Sequence, residues 1–333
     1  MIIRSSFLLL ALGLLLLAGC SCGFDCNNED SKGTTLLRLG FSDALPEALK
    51  QVVIEVDSIT FSRTGFDDVV VDRFTIPQLG LLSVDTFQMD LLHFRGRNQL
   101  LVIDELELQA GSYSQLSIRI LGHDVNRSYV QEADDSLKEL SVTGATLHLP
   151  GVRFGAGDQS YTVEFSLAQS LRTTDAGASY LMTTTGIRLQ DNTTAASLSG
   201  RVDSSLFDTV TPCSEKTEPT SGNRIYLYQG SVASGKRLGD VYTAGSSSAI
   251  PDHVVPPFAV ASLLQNTLTA NWEYVFGFLP AGDYTLALAC NTAGDDSVNY
   301  DDLTVPLPSD QLYPIKLSAG VAKVCDLKPG AGC

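Results

Sequence analysis

The fold is decided by two short stretches of similar sequence, LQAGSY at Leu108–Tyr113 and LPAGDY at Leu279–Tyr284. Glycine allows the chain to turn with a positive φ angle. A tyrosine two residues later can bury its ring and return its hydroxyl to the upstream backbone, as in the tyrosine corner of β-sandwiches. We therefore expect one structural corner in each of two sandwiches, and a repeated ligand site is the alternative. The corner residues would be Gly111, Tyr113, Gly282 and Tyr284.

The sequence around both stretches has the alternating pattern of β-strands. Val52–Phe61 alternates in hydrophobicity, with a shift near Asp57 and Ser58 that indicates a β-bulge. Only Ala133–Leu140 suggests a helical turn. Within Leu198–Leu317, about seven short strand-like runs are separated by loops rich in Ser, Thr, Gly and Pro. We predict an all-β fold with two Greek-key-type β-sandwich domains.

Length and composition divide the chain into five parts. Its 333 residues are enough for two domains, each with a hydrophobic core, and Asp191–Ser197 has the small, polar sequence of a linker. The predicted parts are a signal peptide at 1–19, a polar tether at 20–33, a first sandwich at 34–191, a second sandwich at 197–318, and a cysteine-containing tail at 319–333.

The first residues have the three parts of a secretory signal, with a basic Arg4, an apolar run that begins at Phe7, and small residues before Cys20. The run is shorter than the ~20 residues that a membrane-spanning helix needs. Leu17–Cys20 (LAGC) resembles a bacterial lipobox, which implies acylation of Cys20, as with palmitate, and attachment to a membrane. Ser21 resembles the residue found there in outer-membrane lipoproteins, which face the periplasm or the cell exterior. An ordinary signal peptide is the alternative.

Seven cysteines are present, and six remain if Cys20 carries lipid. An even number in an exported protein favours disulfides over reactive thiols. Many pairings are open, and we favour the local ones. These join Cys22 to Cys26, Cys213 to Cys290, and Cys325 to Cys333.

The net charge of −16 makes nucleic acid and anionic membrane surfaces poor partners. Gly230–Arg237 resembles the opening of a phosphate-binding loop, but Arg237 replaces the required Ser or Thr, and no helical pattern follows. We therefore expect no bound nucleotide.

The sequence contains neither a Gly-x-Ser-x-Gly nor a His-Glu-x-x-His motif, and we expect no catalytic residues. The histidines are scattered, which argues against a zinc site. They are His93, His123, His148 and His253.

The acidic segment Asp295–Asp302 is the candidate metal site. Its oxygen-bearing side chains recur every two residues, which suits a hard cation such as Ca²⁺. The segment lacks the glycine and the last glutamate of an EF-hand loop, so a solvated acidic hairpin is the favoured alternative. The candidate ligands are Asp295, Ser297, Asn299 and Asp301.

Residues 34–191 resemble the DUF4382 family, a bacterial lipoprotein domain of unknown function. The resemblance lies in eight blocks: Ser42–Pro46, Val52–Phe61, Asp90–Leu92, Leu108–Ile120, Leu147–Val152, Val163–Phe165, Ser170–Leu171 and Tyr180–Leu189. Ser166 departs from the family, which often has an acidic residue there. The family has no established catalytic residues, so the resemblance implies none.

Residues 197–318 are similar to a carboxypeptidase-regulatory or transthyretin-like sandwich. Leu198–Val202 and Arg224–Tyr228 resemble its first strands, and Phe276–Leu286 is the most specific block. The resemblance implies a structural or binding module.

Together these features predict a non-catalytic lipoprotein of the cell envelope. It would bind a glycan, a protein or another envelope component through loops at a sandwich edge, or serve as a spacer. The alternative is a hydrolase of envelope or extracellular polymers with its site at the domain junction.

Overall fold

A computed structural model describes residues 33–44, 49–232, 235–240, 250–293, 295 and 300–333. These residues form a nearly all-β structure, as the sequence predicts, in which several sheets enclose two large hydrophobic cores. None of the described helices has the length and apolar character that crossing a membrane requires.

Fifteen strands belong to the first half of the chain. They are β1 (Thr34–Ala44), β2 (Leu49–Ser62), β3 (Val69–Val71), β4 (Phe74–Ile76), β5 (Leu81–Val84), β6 (Phe87–Asp90), β7 (Leu100–Gln109), β8 (Gly111–Leu121), β9 (Tyr129–Glu132), β10 (Leu137–Val142), β11 (Thr146–Phe154), β12 (Gly157–Ser166), β13 (Leu171–Thr174), β14 (Ser179–Met182) and β15 (Arg188–Asp191).

Ten strands follow in the second half. They are β16 (Ala196–Val202), β17 (Arg224–Gln229), β18 (Arg237–Leu238), β19 (Val254–Val255), β20 (Ala259–Ser262), β21 (Leu264–Gln265), β22 (Trp272–Leu279), β23 (Gly282–Ala289), β24 (Leu312–Leu317) and β25 (Ala322–Val324).

The helices among the described residues are all single turns. The α-helices are α1 (Leu167–Ser170) and α2 (Ser205–Asp208), and the 3₁₀ turns are Pro77–Leu79, Leu91–His93, Thr143–Ala145, Asp175–Gly177 and Cys213–Glu215.

The first half packs a four-stranded sheet, in the order β15-β12-β1-β7, against a nine-stranded one, β11-β8-β2-β9-β10-β14-β13 with β3 and β6 also paired to β2. Buried aromatic rings contact one another within this core. Phe41 meets Phe165 edge to face at 5.5 Å, and Phe154 contacts Tyr161 at 5.2 Å. Such edge-on contacts add to the hydrophobic stabilisation of the core.

The bulge that the sequence predicts in Val52–Phe61 is confirmed, because the register of β2 against β8 shifts between Val56 and Ser58. The helical turn predicted at Ala133–Leu140 is wrong. Strand β10 occupies its second half and pairs with β9 and β14. The pairing buries Leu140 and Val142, two residues apart, so the relevant period is that of a strand.

The second half contains two four-stranded sheets, β21-β22-β16-β25 and β20-β17-β23-β24. Ile225 and Leu227 of β17 point into the core between them. The alternate residues Tyr226 and Tyr228 are also buried, in a smaller cluster on the outer face that includes Leu238 of β18. Strand β17 is therefore covered on both faces.

Two of the three expected disulfides are present. Cys213 is joined to Cys290 with a Cα–Cα distance of 5.6 Å, which connects a 3₁₀ turn to the end of β23. Cys325 is joined to Cys333 in the tail. Cys20, Cys22 and Cys26 lie outside the described residues.

Candidate functional site

Both Leu-x-Ala-Gly-x-Tyr stretches form the same turn. The Tyr113 hydroxyl donates to the carbonyl oxygen of Gln109 at 3.0 Å, and the Tyr284 hydroxyl donates to that of Pro280 at 2.9 Å. Each preceding glycine has a positive φ, +147° at Gly111 and +158° at Gly282. Both rings are buried, so the hydroxyls serve the backbone of their own turns.

The histidines do not assemble a hydrolytic site among the described residues. The nearest arrangement is a cross-strand pair, in which Ser117 Oγ lies 3.0 Å from His148 Nδ1 on an exposed face. No described carboxylate hydrogen-bonds to His148. His93 lies 3.5 Å from Asp90, but that carboxylate caps its own 3₁₀ turn by accepting from Leu92 N–H.

The junction between the halves is closely packed. Gln169 Nε2 donates to the Pro257 carbonyl at 3.2 Å. Arg188 Nη1 donates to the Phe258 carbonyl at 3.3 Å, and its guanidinium lies 4.8 Å from the centre of the Phe258 ring. A Cβ added to Gly277 would collide with the carbonyl of Gly96, so the two backbones touch.

A buried acid, Glu164, lies behind this junction. Burial raises the pKa of Glu164 to about 8, although the Arg188 guanidinium and a hydrogen bond from Ser42 oppose the shift. Raised carboxyl pKa values occur in active sites and also in structural pairs. The Arg188 beside Glu164 is itself used to hold the second sandwich, which favours a structural role here.

A groove of about 790 Å³ lies on the second sandwich. Its walls come from β16, β20, β21, β22 and β25 and from the loop after β21. Asn266 shapes that loop, because its side-chain oxygen accepts the backbone N–H groups of Leu268 and Thr269 at 3.0 and 3.2 Å. Leu268 is 95% exposed at the rim.

Charged side chains of both signs line the same groove. Arg201 lies on β16, and its backbone N–H donates to the Asp326 carboxylate at 2.8 Å. On the neighbouring strand, Glu273 of β22 lies opposite Arg201 and accepts a hydrogen bond from Asn266 at 3.3 Å. The one aromatic lining residue, Tyr274, is buried and donates its hydroxyl to Cys325 O at 2.7 Å. The groove thus combines an exposed apolar rim with polar walls.

The structure changes the candidate metal site. Asp295 and Asp301 lie together with Asp240, and one carboxylate oxygen of each lies within 4.8 Å of the others. Ser297 and Asn299 are outside the described residues. Burial, with a hydrogen bond shared with Asp301, raises the pKa of Asp240 to about 7. Asp240 was missed because it lies far from the acidic segment in sequence and has no motif around it.

The described residues form an all-β protein with β-sandwiches and disulfide bonds. Residues 34–183, which form most of the first sandwich, match the family described as Domain of unknown function (DUF4382). No curated protein matches the chain. The similarity of 197–318 to carboxypeptidase-regulatory sandwiches stays a prediction.

Matches to solved structures come from several bacteria. A leucine-rich repeat protein from Bacteroides thetaiotaomicron is 11% identical, with a TM-score of 0.20, and the match covers 88% of this chain and 25% of that one. The Bacillus anthracis TIE protein is 9% identical, with a TM-score of 0.18 and coverage of 89% and 34%. A protein proposed to act in cell adhesion, from Bacteroides fragilis, is 9% identical, with a TM-score of 0.21 and coverage of 89% and 95%. This chain therefore spans only about a quarter to a third of the first two proteins.

Proposed function

We propose that the protein is a non-catalytic binding module of the cell envelope that holds an extended segment of another envelope protein in the groove of its second sandwich. The groove beside Leu268 is the observation that carries this function. Leu268, with 95% of its surface exposed, lies with the exposed Leu264 in one groove, and this apolar surface can contact a partner that the polar walls orient.

The lining favours a protein segment over a glycan. Sugar rings commonly stack on exposed aromatic faces, whereas the one aromatic lining residue, Tyr274, is buried. The exposed Leu264 and Leu268 suit apolar side chains, and Arg201 and Glu273 suit charged ones. The edge strand β21 adds backbone groups with which an extended chain can pair.

The rest of the chain would serve to hold this groove at a membrane. In this proposal the signal at 1–19 is removed, Cys20 carries lipid, and 20–33 is a short tether to the outer membrane. The divisions at 34–191 and 197–318 are supported by hydrophobic cores that share no residue. More than one lipid chain would be needed for stable anchoring.

The test compares two exposed leucines. The purified chain, with Cys20→Ser to keep it soluble, is mixed with purified outer membranes of the bacterium that produces it, and the bound fraction is measured by sedimentation. Leu268→Asp should reduce binding about tenfold or more, as for a central interface residue. Leu82→Asp, at a residue 75% exposed on the first sandwich, should leave binding unchanged.

Two further measurements separate the alternatives. Protease treatment of the membranes should abolish binding, whereas glycosidase treatment should not. Equal binding by both leucine variants, or loss with glycosidase alone, contradicts the groove proposal. Release of soluble sugars or peptides from the membranes by the pure chain would favour the hydrolase.

A further inference from the structure

Two segments that are distant in sequence bring three carboxylates to one place on the second sandwich. Asp240 follows β18, Asp295 lies beyond the end of β23, and Asp301 precedes Leu303. One oxygen from each lies within 4.8 Å of the others, a separation that a single cation can bridge. Three acids so close repel one another, because like charges disfavour ionisation.

Asp240 is the buried member of the three acids. The residue is fully buried, and its Oδ2 accepts the backbone N–H of Leu303 at 2.9 Å. Its Oδ1 is also buried and receives no hydrogen bond from an N–H or hydroxyl group of the described residues, and the hydrogen bond that Asp240 shares with Asp301 requires a proton between two carboxyl groups. A carboxylate oxygen buried without a partner is costly, so this atom calls for a cation or a proton.

A second group points to the same place from a different element. Arg224, Tyr226 and Tyr228 alternate along one face of β17. Arg224 pairs with Asp295, and the Tyr228 hydroxyl donates to the carbonyl of Gly239 at 2.6 Å, one residue before Asp240.

Tyr226 lies between those two, stacked on Tyr228 with ring centres 6.2 Å apart. Its ring is completely buried. Its hydroxyl lies near the Arg224 guanidinium but makes no hydrogen bond of ordinary geometry. The strand therefore holds a buried hydroxyl near enough to Asp295 and Asp240 for both charges to act on it.

We propose that Asp240, Asp295 and Asp301 form a binding site for a divalent cation with oxygen ligands, of which Ca²⁺ fits best. Ca²⁺ accepts six to eight oxygen ligands in irregular geometry, so water can complete three carboxylates. Mg²⁺ demands a stricter octahedron, and Zn²⁺ prefers nitrogen and sulfur. The site shares Asp295 and Asp301 with the sequence prediction and adds Asp240 from another loop, while the other predicted ligands, Ser297 and Asn299, lie outside the described residues.

Two arginines lie close to the acidic residues of this region. Arg224 pairs with Asp295 of the cluster, whereas Arg237 pairs with Asp302, which is not one of the three acids. A bound cation would connect the loop after β18 with the segment after β23. It would thereby order the outer cover of the second sheet. This inference does not depend on the proposed groove.

Thermal unfolding and Tb³⁺ luminescence test the site on the purified full-length chain. Tb³⁺ substitutes for Ca²⁺ and is excited through nearby tyrosines, here Tyr226 and Tyr228. We expect Tb³⁺ luminescence that Ca²⁺ displaces, and a rise in Tm with Ca²⁺, because a ligand that binds the folded state stabilises it.

Asp240→Asn should weaken Ca²⁺ binding about tenfold or more, as loss of ligand charge does. The same variant should raise Tm without Ca²⁺, because it removes repulsion. Asp301→Asn, at an exposed residue, provides a second variant if the first does not fold. Asp310→Asn, at another exposed acid, is the matched control and should bind normally. No Tm shift at millimolar Ca²⁺, or equal Tb³⁺ luminescence in all variants, would overturn the proposal and leave a pair of acids that share a proton.

Discussion

The buried Glu164 makes the stability of the chain depend on pH. Its carboxyl has a pKa of about 8 in the folded state, against an ordinary value of 4.5. The folded state therefore holds a proton that the unfolded state has released. This contribution is fully present below the ordinary pKa and is lost as the pH rises through the folded value. At 1.36 kcal/mol per pKa unit, the loss is about 5 kcal/mol at most.

Glu164→Gln removes that titration and keeps the shape of the protonated side chain. Urea unfolding, followed by circular dichroism from pH 5 to pH 9, should show the free energy of unfolding of the wild type falling by a few kcal/mol. The free energy of unfolding of Glu164→Gln should stay constant over this range. The variant should therefore match the wild type at pH 5 and be more stable than the wild type at pH 9. Ser166→Ala, on the same strand, keeps Glu164, so its free energy of unfolding should fall with rising pH as it does in the wild type. A wild-type stability that rises over this range would refute the reasoning, because Glu164 would then be ionised against Arg188.

Three other predictions follow from single features of the chain. Replacing Cys213 and Cys290 together by alanine should lower the free energy of unfolding by about 2–4 kcal/mol in urea, with no extra effect of reductant on the variant. Gly277→Val should destabilise the junction by about 1–3 kcal/mol and increase proteolysis between the sandwiches, whereas Gly155→Ala, whose Cβ would make only ordinary van der Waals contacts with the Gln159 side chain, should do neither. Cys20→Ser should abolish labelling with radioactive palmitate and release the chain from the membrane fraction. Unchanged labelling would contradict the lipobox interpretation.

Local pattern explains the parts of the fold that the sequence predicts. Alternation specifies strands, a one-residue shift specifies the bulge at Val56 and Ser58, and Gly-x-Tyr specifies a turn whose hydrogen bond spans four residues. Pairing between distant strands was not predictable. Strand β1 lies parallel to β12 with Thr35 opposite Gly157, and nothing local to either strand sets that register. The strand at Leu137–Val142 was missed because its partners β9 and β14, not its own propensity, determine it.

The candidate sites also depend on contacts between distant segments, which local sequence does not specify. Asp295 and Asp301 were found because they share one acidic segment, but Asp240 joins them only through the fold. The groove depends on Asn266, whose side chain shapes a loop between two edge strands. Its lining comes from segments as far apart as Arg201 and Asp326, so no window of sequence contains it. A site whose residues come from different strands can be recognised only when the pairing register of those strands is known.

Site-specific crosslinking tests the central claim most directly. A photoreactive phenylalanine is placed at Leu268 in the groove and, as a control, at the exposed Leu82 on the first sandwich. The account predicts that irradiation in the producing bacterium joins the position 268 chain to one discrete envelope protein, and that an excess of the unmodified chain suppresses the product. Crosslinks at position 82 only, or the same products from both positions, would contradict it.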